Sequence, residues 1–323
     1  MYPNIDCPEE EVREETYNIL KKFTKKESHT YFTSGSTGEP KKIFHSHKLF
    51  EMIAMENCRF NEYTKDDYIV NAVLPATSIA YPVLSALPAL ISGCKLKAVK
   101  FNPYTFVDHI RDSTHFVIVP SVYRVMKRRK DWQELDLTGK TVGCGSDIIP
   151  DGIKEDVMSK GAKRFHHIYG STEVPPAISN SEDERQCLEN VSPLVEYFIA
   201  KKAISGEKEL YIRWRGQDEF WKSGDLFGNQ GMIGREKNVI HLHCSRINPE
   251  VVEKHILDNS NATRVIVQTK GESLQATFEG DEYPSRVREL VNEWYQDVNV
   301  KTSKVDSIEV NSMNKIVRST VYA

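Results

Sequence analysis

The sequence predicts an α/β large domain with a parallel-type sheet and flanking helices, followed by a small α+β C-terminal domain. Three observations predict it. Between Tyr68 and Gly170 short β-rich runs alternate with amphipathic stretches, and strand and helix in alternation imply a parallel sheet covered by helices. After Asn238 the alternation stops, and about 85 residues read as a smaller mixture of strands and helices, long enough for a core of their own. The 323-residue length suits two domains.

In chain order, the strand-like runs are Tyr68–Leu74, Lys95–Lys100, Phe116–Val119, Thr141–Gly143 and Arg164–Tyr169, rich in β-branched and aromatic residues. The amphipathic stretches between them include Tyr104–Arg111, Ser121–Trp132 and Asp151–Lys160. In the small domain, Asn248-Pro249-Glu250 has the form of a helix start, with a capping side chain and then Pro in the first turn. Val251–Leu257 continues that helix. Arg264–Thr269 and Leu274–Phe278 read as strands, Pro284–Tyr295 as a helix and Lys304–Val310 as a last strand. The large domain is expected over 1–234, a hinge over 235–238 centred on Lys237, and a small mobile domain over 239–323.

Composition excludes several classes. Lys and Arg number 43 against 46 Asp and Glu, so the basic surplus of a general nucleic-acid binder is absent and no nucleic-acid partner is expected. Ile69 to Cys94 carries no charge and is long enough to span a bilayer. Pro75, Pro82 and Pro88 interrupt it and Asn71, Thr77, Ser78, Ser85 and Ser92 dilute it, so a buried strand, a loop and a core helix are expected, not a membrane span. The start is acidic (Asp6, Glu9, Glu10, Glu11, Glu14, Glu15) and lacks the basic and apolar regions of a signal peptide. The cysteines Cys7, Cys58, Cys94, Cys144, Cys187 and Cys244 are scattered, with no Cys-x-x-Cys pair. A cytoplasmic protein with free thiols is the expectation.

The first chemical signal is Tyr31-Phe32-Thr33-Ser34-Gly35-Ser36-Thr37-Gly38-Glu39-Pro40-Lys41. Glycine lets successive backbone N–H groups turn toward an anion, hydroxyls add donors, and a lysine adds charge. This is phosphate-binding chemistry. The Gly-x4-Gly-Lys spacing of a Walker loop is absent. The competing reading is a Ser/Thr/Gly linker, which the strand-like lead-in and the Pro-Lys-Lys behind it disfavour.

At these residues the sequence resembles the acyl-adenylate-forming family of acyl-CoA ligases, peptide-synthetase adenylation domains and luciferases, whose signature phosphate loop this is. Further matches follow in the family's order. Gly145-Ser146-Asp147 stands where the family has its adenine-flanking loop. Tyr169-Gly170-Ser171-Thr172-Glu173 resembles Tyr-Gly-x-Thr-Glu, and Ser223-Gly224-Asp225 resembles Thr-Gly-Asp. Gly234-Arg235 through Ser245-Arg246-Ile247 is similar to the hinge and first turn of the small domain. Asn314-Lys315-Ile316-Val317-Arg318 resembles Gly-Lys-Ile-x-Arg.

The resemblance implies a role for each residue. Thr33, Ser34, Gly35, Ser36, Thr37, Gly38 and Lys41 would cradle the phosphates of ATP. Gly145, Ser146, Asp147, Tyr169, Gly170 and Ser171 would hold the adenine, with the ring of Tyr169 stacked on it. Thr172 would donate to the α-phosphate, and Glu173, a hard oxygen ligand, would take the Mg²⁺ that accompanies ATP. Asp225 would accept the ribose hydroxyls and Arg235 would reach the same sugar. Lys315 would bring positive charge to the carboxylate and α-phosphate as negative charge builds there. Taken alone, Glu173 or Asp225 would read as a solvated surface acid.

The activity implied is ATP-dependent conversion of a small carboxylic acid to acyl-AMP with release of pyrophosphate, then acyl transfer to CoA. Two alternatives stay open: transfer to an amine or carrier-protein thiol, and a non-catalytic nucleotide-binding descendant. Cys244 stands where the family has a glycine beside its thiol tunnel, and Asn314 replaces the glycine before the lysine. Ala76–Ala80 lacks an aromatic or His gate, although Tyr81 is near. On this resemblance the family's large N-terminal subdomain is expected to be missing ahead of the phosphate loop, and with it an exposed apolar face and a homodimer are expected.

His45-Ser46-His47 and His241-Leu242-His243 have the i, i+2 spacing that shares one face of a strand, but no acid or cysteine cluster supports zinc. Of His166 and His167, one is expected to line the acid pocket and the other to pack. Lys127–Lys130 reads as a solvated helix end.

Overall fold

The computed structural model describes residues 2–33, 41–175, 179–181, 188, 190–201, 208–228, 231–242, 245–311 and 316–318. The chain divides into two compact units, Met1–Glu196 with Ile212–Phe220 and Tyr197–Tyr211 with Trp221–Ala323.

In the first unit, β1 (Ile5–Asp6) and α1 (Glu10–Thr24) precede an antiparallel pair, β2 (His29–Thr33) and β3 (Lys41–His45), followed by α2 (His47–Asn61). Then come β4 (Tyr68–Asn71), α3 (Leu87–Ser92), β5 (Lys95–Ala98), α4 (Phe106–Ile110), β6 (His115–Ile118), α5 (Pro120–Met126) and α6 (Lys130–Gln133). The last elements are β7 (Thr141–Gly145), α7 (Ile153–Ser159), β8 (Arg164–Tyr169) and β9 (Ser179–Ser181). Seven strands form one sheet in the order β1-β5-β4-β6-β7-β8-β9. Its neighbours are parallel except at β8–β9, which is antiparallel.

Helix faces follow the apolar spacing. In α2 the buried residues are Phe50, Ile53, Ala54 and Asn57, three and four positions apart on one face. The hydroxyl of Ser46 caps the helix by accepting the N–H of Leu49 at 3.3 Å. The uncharged run resolves as expected into buried β4, a connecting loop, one π-helical turn over Pro82–Ala86 and α3. Pro82 opens the π-helical turn, and Pro88 is the second residue of α3, which continues directly from that turn in helical conformation. Among the described residues no helix is long and apolar enough to cross a membrane.

The stretch expected as one helix over Ser121–Trp132 breaks in two at Lys127–Arg129. The break turns Trp132 fully inward, and its indole N–H donates to Asp156 at 2.9 Å. A continuous helix would not satisfy both the charge run and this buried ring.

β10 (Val195–Lys201), β11 (Lys208–Trp214), β12 (Trp221–Gly228) and β13 (Gly231–Arg235) form a four-stranded sheet in that order. The division between the units falls inside β10 and β11. Beyond a short pair, β14 (Ile240–Leu242) and β15 (Ser245–Ile247), α8 (Pro249–Asp258) and α9 (Pro284–Asn292) pack with a sheet of β16 (Ala262–Lys270), β17 (Ser273–Gly280) and β18 (Val300–Lys304). Val252, Ile256, Val265, Phe278 and Leu290 are central to this core. The last strand runs over Val300–Lys304 and not over the expected Lys304–Val310. Its partner explains the shift: β17 pairs in parallel from Leu274↔Val300 to Phe278↔Lys304 and ends at Gly280. Beyond that point Ile308 is buried, with its N–H donating to the carboxylate of Glu279.

Candidate active site

The residues expected to bind the nucleotide base sit where β7 and β8 end. These strands are parallel neighbours, with Gly145 paired to Ile168. The segments that follow, from Ser146 and from Gly170, therefore leave one edge of the sheet side by side. Ligands of open α/β sheets gather at this carboxyl edge. A Cβ on Gly145 would stand 2.3 Å from the carbonyl oxygen of Ile168, so the strands approach this closely only with glycine there. Ser146 follows with φ at +86°. A non-glycine residue held there is strained, and such strain clusters at functional sites. Asp147 turns its carboxylate onto the N–H of Ile148 at 2.8 Å. Tyr169 is buried as it leaves β8.

Thr172 and Glu173 lie on a small turn closed from both sides. The N–H of Ser171 donates to the carbonyl of Val174 at 2.8 Å, and the N–H of Val174 donates to the Ser171 hydroxyl at 3.2 Å. Val174 is buried and anchors the turn. Thr172 and Glu173 remain half-exposed. No hydrogen bond or ion pair joins the Glu173 carboxylate to another described residue, and among those residues no group of three or more His, Cys, Asp or Glu is placed to hold a metal. A single free carboxylate suits Mg²⁺, which keeps several waters and takes its other ligands from a substrate's phosphates.

The antiparallel pair β2–β3 runs from His29↔His45 to Thr33↔Lys41. Of the expected phosphate loop, Ser34, Gly35, Ser36, Thr37 and Gly38 lie outside the described residues, as do the side chains of Thr33 and Lys41. His29 stacks on Phe50 with ring centroids 4.3 Å apart, and Tyr31 stacks on the same ring at 5.9 Å.

His45, His47 and His241 each have a partner within the protein. His45 points Nε2 to the carbonyl oxygen of Thr172 at 2.7 Å. His47 packs its ring against Phe23 at 4.7 Å, and His241 meets Arg246 at 3.1 Å. His243 lies outside the described residues. His166 lines a small crevice with Tyr63, His115, Thr141 and Gly143. Burial pushes His166 down to about 3 and His115 to about 4, so both imidazoles are neutral.

In the second unit, Asp225 on β12 is paired with Arg235 on β13. Asp225 is buried, and Arg235 Nε donates to its Oδ1 at 3.0 Å. The Ser223 hydroxyl accepts the N–H of Asp225 at 3.0 Å and donates to the carbonyl of Leu210 at 2.8 Å. Gly224 between them has φ at +72°, a left-handed conformation that favours glycine. Gly224 thus bends β12 locally, and the Ser223 hydroxyl fixes the backbone at Asp225. Lys315, Asn314 and Cys244 lie outside the described residues. The hinge expected at 235–238 is a short 3₁₀ turn over Glu236–Asn238, and it falls within the second unit.

A strained residue and a close glycine approach mark the carboxyl ends of the parallel strands β7 and β8 in this α/β unit. The sequence pattern described as AMP-binding enzyme matches residues 20–199, more than half of the chain. The chain belongs to this family, part of the acyl-adenylate-forming superfamily that its motifs resemble. It is 31% identical over 149 residues to an indoleacetate–CoA ligase of Aromatoleum aromaticum, covering 45% of this chain and 29% of that one. It is 22% identical over 289 residues to the chloroplastic/peroxisomal 2-succinylbenzoate–CoA ligase of Arabidopsis thaliana, covering 73% of this chain and 51% of that one. The chain thus spans about half the length of these curated relatives, or less.

Solved structures share the fold. O-succinylbenzoate CoA synthetase from Bacillus subtilis, in complex with ATP and magnesium ion, superposes with a TM-score of 0.72 at 18% identity, over 90% of this chain and 69% of that one. The amide bond synthetase McbA from Marinactinospora thermotolerans gives 0.70 at 16% identity, over 90% and 68%.

Proposed function

We propose that this chain binds ATP and activates a small carboxylic acid as acyl-AMP, then passes the acyl group to CoA. One observation carries the reading: the Gly145–Asp147 and Tyr169–Glu173 segments leave neighbouring parallel strands together, in a chain of the AMP-binding enzyme family. In the first step a carboxylate oxygen attacks the α-phosphorus, the bond to the β-phosphate oxygen breaks, and pyrophosphate leaves. In the second the CoA sulfur attacks the acyl carbon and AMP leaves. The protein supplies no nucleophile, so positioning and charge stabilisation carry the catalysis.

Each residue has its part in this reading. Residues 33–38 and Lys41 hold the phosphates, and Gly145, Ser146, Asp147, Tyr169, Gly170 and Ser171 surround the adenine. Thr172 donates to the α-phosphate. Asp225, already bonded to Arg235, takes the ribose hydroxyls with it. Glu173 would hold Mg²⁺, whose charge neutralises the phosphates of bound ATP. Lys315 stabilises the charge of the first transition state, and residues 239–323 reorient about a hinge at 235–238 between the two steps. The relatives named CoA ligases support a thiol acceptor.

A second reading keeps the first step and replaces CoA by an amine. It is motivated by the fold shared with an amide bond synthetase and by Cys244 at the family's glycine position.

Incubation with ATP, magnesium and a panel of acids tests the proposal, with CoA or amines as acceptor. Acid-dependent pyrophosphate release is expected, with a thioester when CoA is present. Lys315→Ala should lower acyl-AMP formation by roughly 10²–10³-fold and leave transfer from synthetic acyl-AMP intact. Pyrophosphate release without thioester would favour the amine reading. No release with any acid would sink both.

A further inference from the structure

His45 closes β3 and is buried, yet its imidazole reaches an oxygen 127 residues further along the chain, the carbonyl of Thr172 at 2.7 Å. A carbonyl only accepts, so Nε2 carries the proton and donates. Burial lowers the pKa of His45, while the bond to Thr172 and the charge of Glu173 oppose that shift. The ring also rests against Phe50, with centroids 5.7 Å apart. At its far end the bond meets a turn whose two other ties are internal, Ser171 N–H to Val174 O at 2.8 Å and Val174 N–H to Ser171 Oγ at 3.2 Å. These two bonds shape the turn but do not locate it. His45 ties it to the hairpin that begins at the register pair His29↔His45.

We propose that His45 is a positioning residue that holds the Thr172–Glu173 turn against the β2–β3 hairpin, so that Glu173 meets a cation at a fixed distance from that hairpin. The proposal rests on the function proposed above. It assigns His45 no contact with substrate. A histidine that merely filled the core would be replaceable by any ring of its size. One that positions the turn needs its donor.

The test compares His45→Phe, which keeps a ring beside Phe50 and deletes the donor, with His45→Gln, which keeps an N–H near the same place. Magnesium dependence of acid-dependent pyrophosphate release is read alongside hydrogen exchange of the Ser171–Val174 amides. His45→Phe should exchange faster at Val174 and need roughly 3- to 10-fold more magnesium for half-maximal rate, the weight of one hydrogen bond. His45→Gln should recover most of both. Wild-type exchange and magnesium dependence in His45→Phe would overturn the proposal. Should that variant fail to fold, nitrogen NMR of the wild-type imidazole decides, since a proton on Nδ1 instead of Nε2 is equally fatal. If wild-type protein releases no pyrophosphate with any acid while Lys315→Ala is equally silent, the functional reading has failed. Exchange and tautomer then still judge the tie by themselves.

Discussion

Arg235 and Asp225 face each other across neighbouring antiparallel strands, and the guanidinium Nε donates to Asp225 Oδ1 at 3.0 Å. The carboxylate is almost entirely buried, whereas the arginine side chain is 44% exposed. A buried carboxylate bonded to a guanidinium, on a backbone fixed by the Ser223 hydroxyl, is set in direction. Asp225→Asn should therefore weaken ATP binding by roughly 10- to 100-fold, the range for a hydrogen bond to a charged group. Calorimetric titration measures it, with the thermal transition as a control for folding.

Gly145 and Gly143 give a matched pair of tests on one strand. A Cβ at Gly145 would meet the carbonyl oxygen of Ile168 at 2.3 Å, while one at Gly143 would meet the Cδ1 of the same residue at 2.7 Å. A backbone atom cannot step aside and the end of an isoleucine side chain can. Gly145→Ala should cost about 3 kcal/mol, at the upper end of overpacking penalties, and Gly143→Ala about 1 kcal/mol. Urea unfolding ranks them, and equal costs would contradict the geometry.

Three buried histidines make the first unit sensitive to acid. Burial pushes His29 and His115 down to about 4 and His166 to about 3, all below the ordinary value near 6.5. The unfolded chain thus binds more protons than the folded one between about pH 6.5 and pH 4. Their contribution is fully present above pH 6.5 and is lost as pH falls toward the folded values. Each adds a slope of about 1.4 kcal/mol per pH unit inside that window. His166→Phe should flatten the pH dependence of unfolding by one such increment, measured by denaturant titration from pH 7 to pH 4.

Arg318 grips Glu253 with two bonds, Nη1 to Oε1 at 2.9 Å and Nη2 to Oε2 at 2.6 Å, and Glu253 also accepts the N–H of Val267 at 2.7 Å. Burial pushes the Glu253 carboxyl up to about 7, and Arg318 opposes that shift. Arg318→Ala would leave a buried acid without its cation, at a cost of about 3–5 kcal/mol. Arg318 also lies 3.9 Å from Glu250, so the double change Arg318→Met with Glu253→Leu should recover only part of this: the Glu253 charge is gone and the Glu250 charge stays. Denaturant unfolding of the wild type, Arg318→Ala and the double variant tests the coupling.

What the sequence revealed and what it hid divide by range. β8 was legible residue for residue over Arg164–Tyr169, because its apolar run and flanking turns are local. The Lys304–Val310 segment misled because Val305, Ile308 and Val310 carry strand-like residues, whereas the length of β17 decides where pairing ends. Contiguous motifs such as Tyr169–Glu173 were visible for the same local reason. The bond from His45 to Thr172 was not, since no pattern within β3 encodes a partner beyond β8. His45 instead invited a metal reading, its i, i+2 spacing to His47 being the only local signal it offers.

The alternation of the two units along the chain has a practical consequence for anyone dissecting this protein. The polypeptide leaves the first unit after Glu196, returns to it for Ile212–Phe220, and leaves again. No single cut yields the two units whole. Ending the chain after Glu196 removes Trp214, which packs against the first unit's core, and starting it at Trp221 removes β10 and β11 from the sheet that contains Asp225. Severing the connection therefore damages both halves, so their fates in proteolysis and unfolding are bound together by the path of the backbone itself.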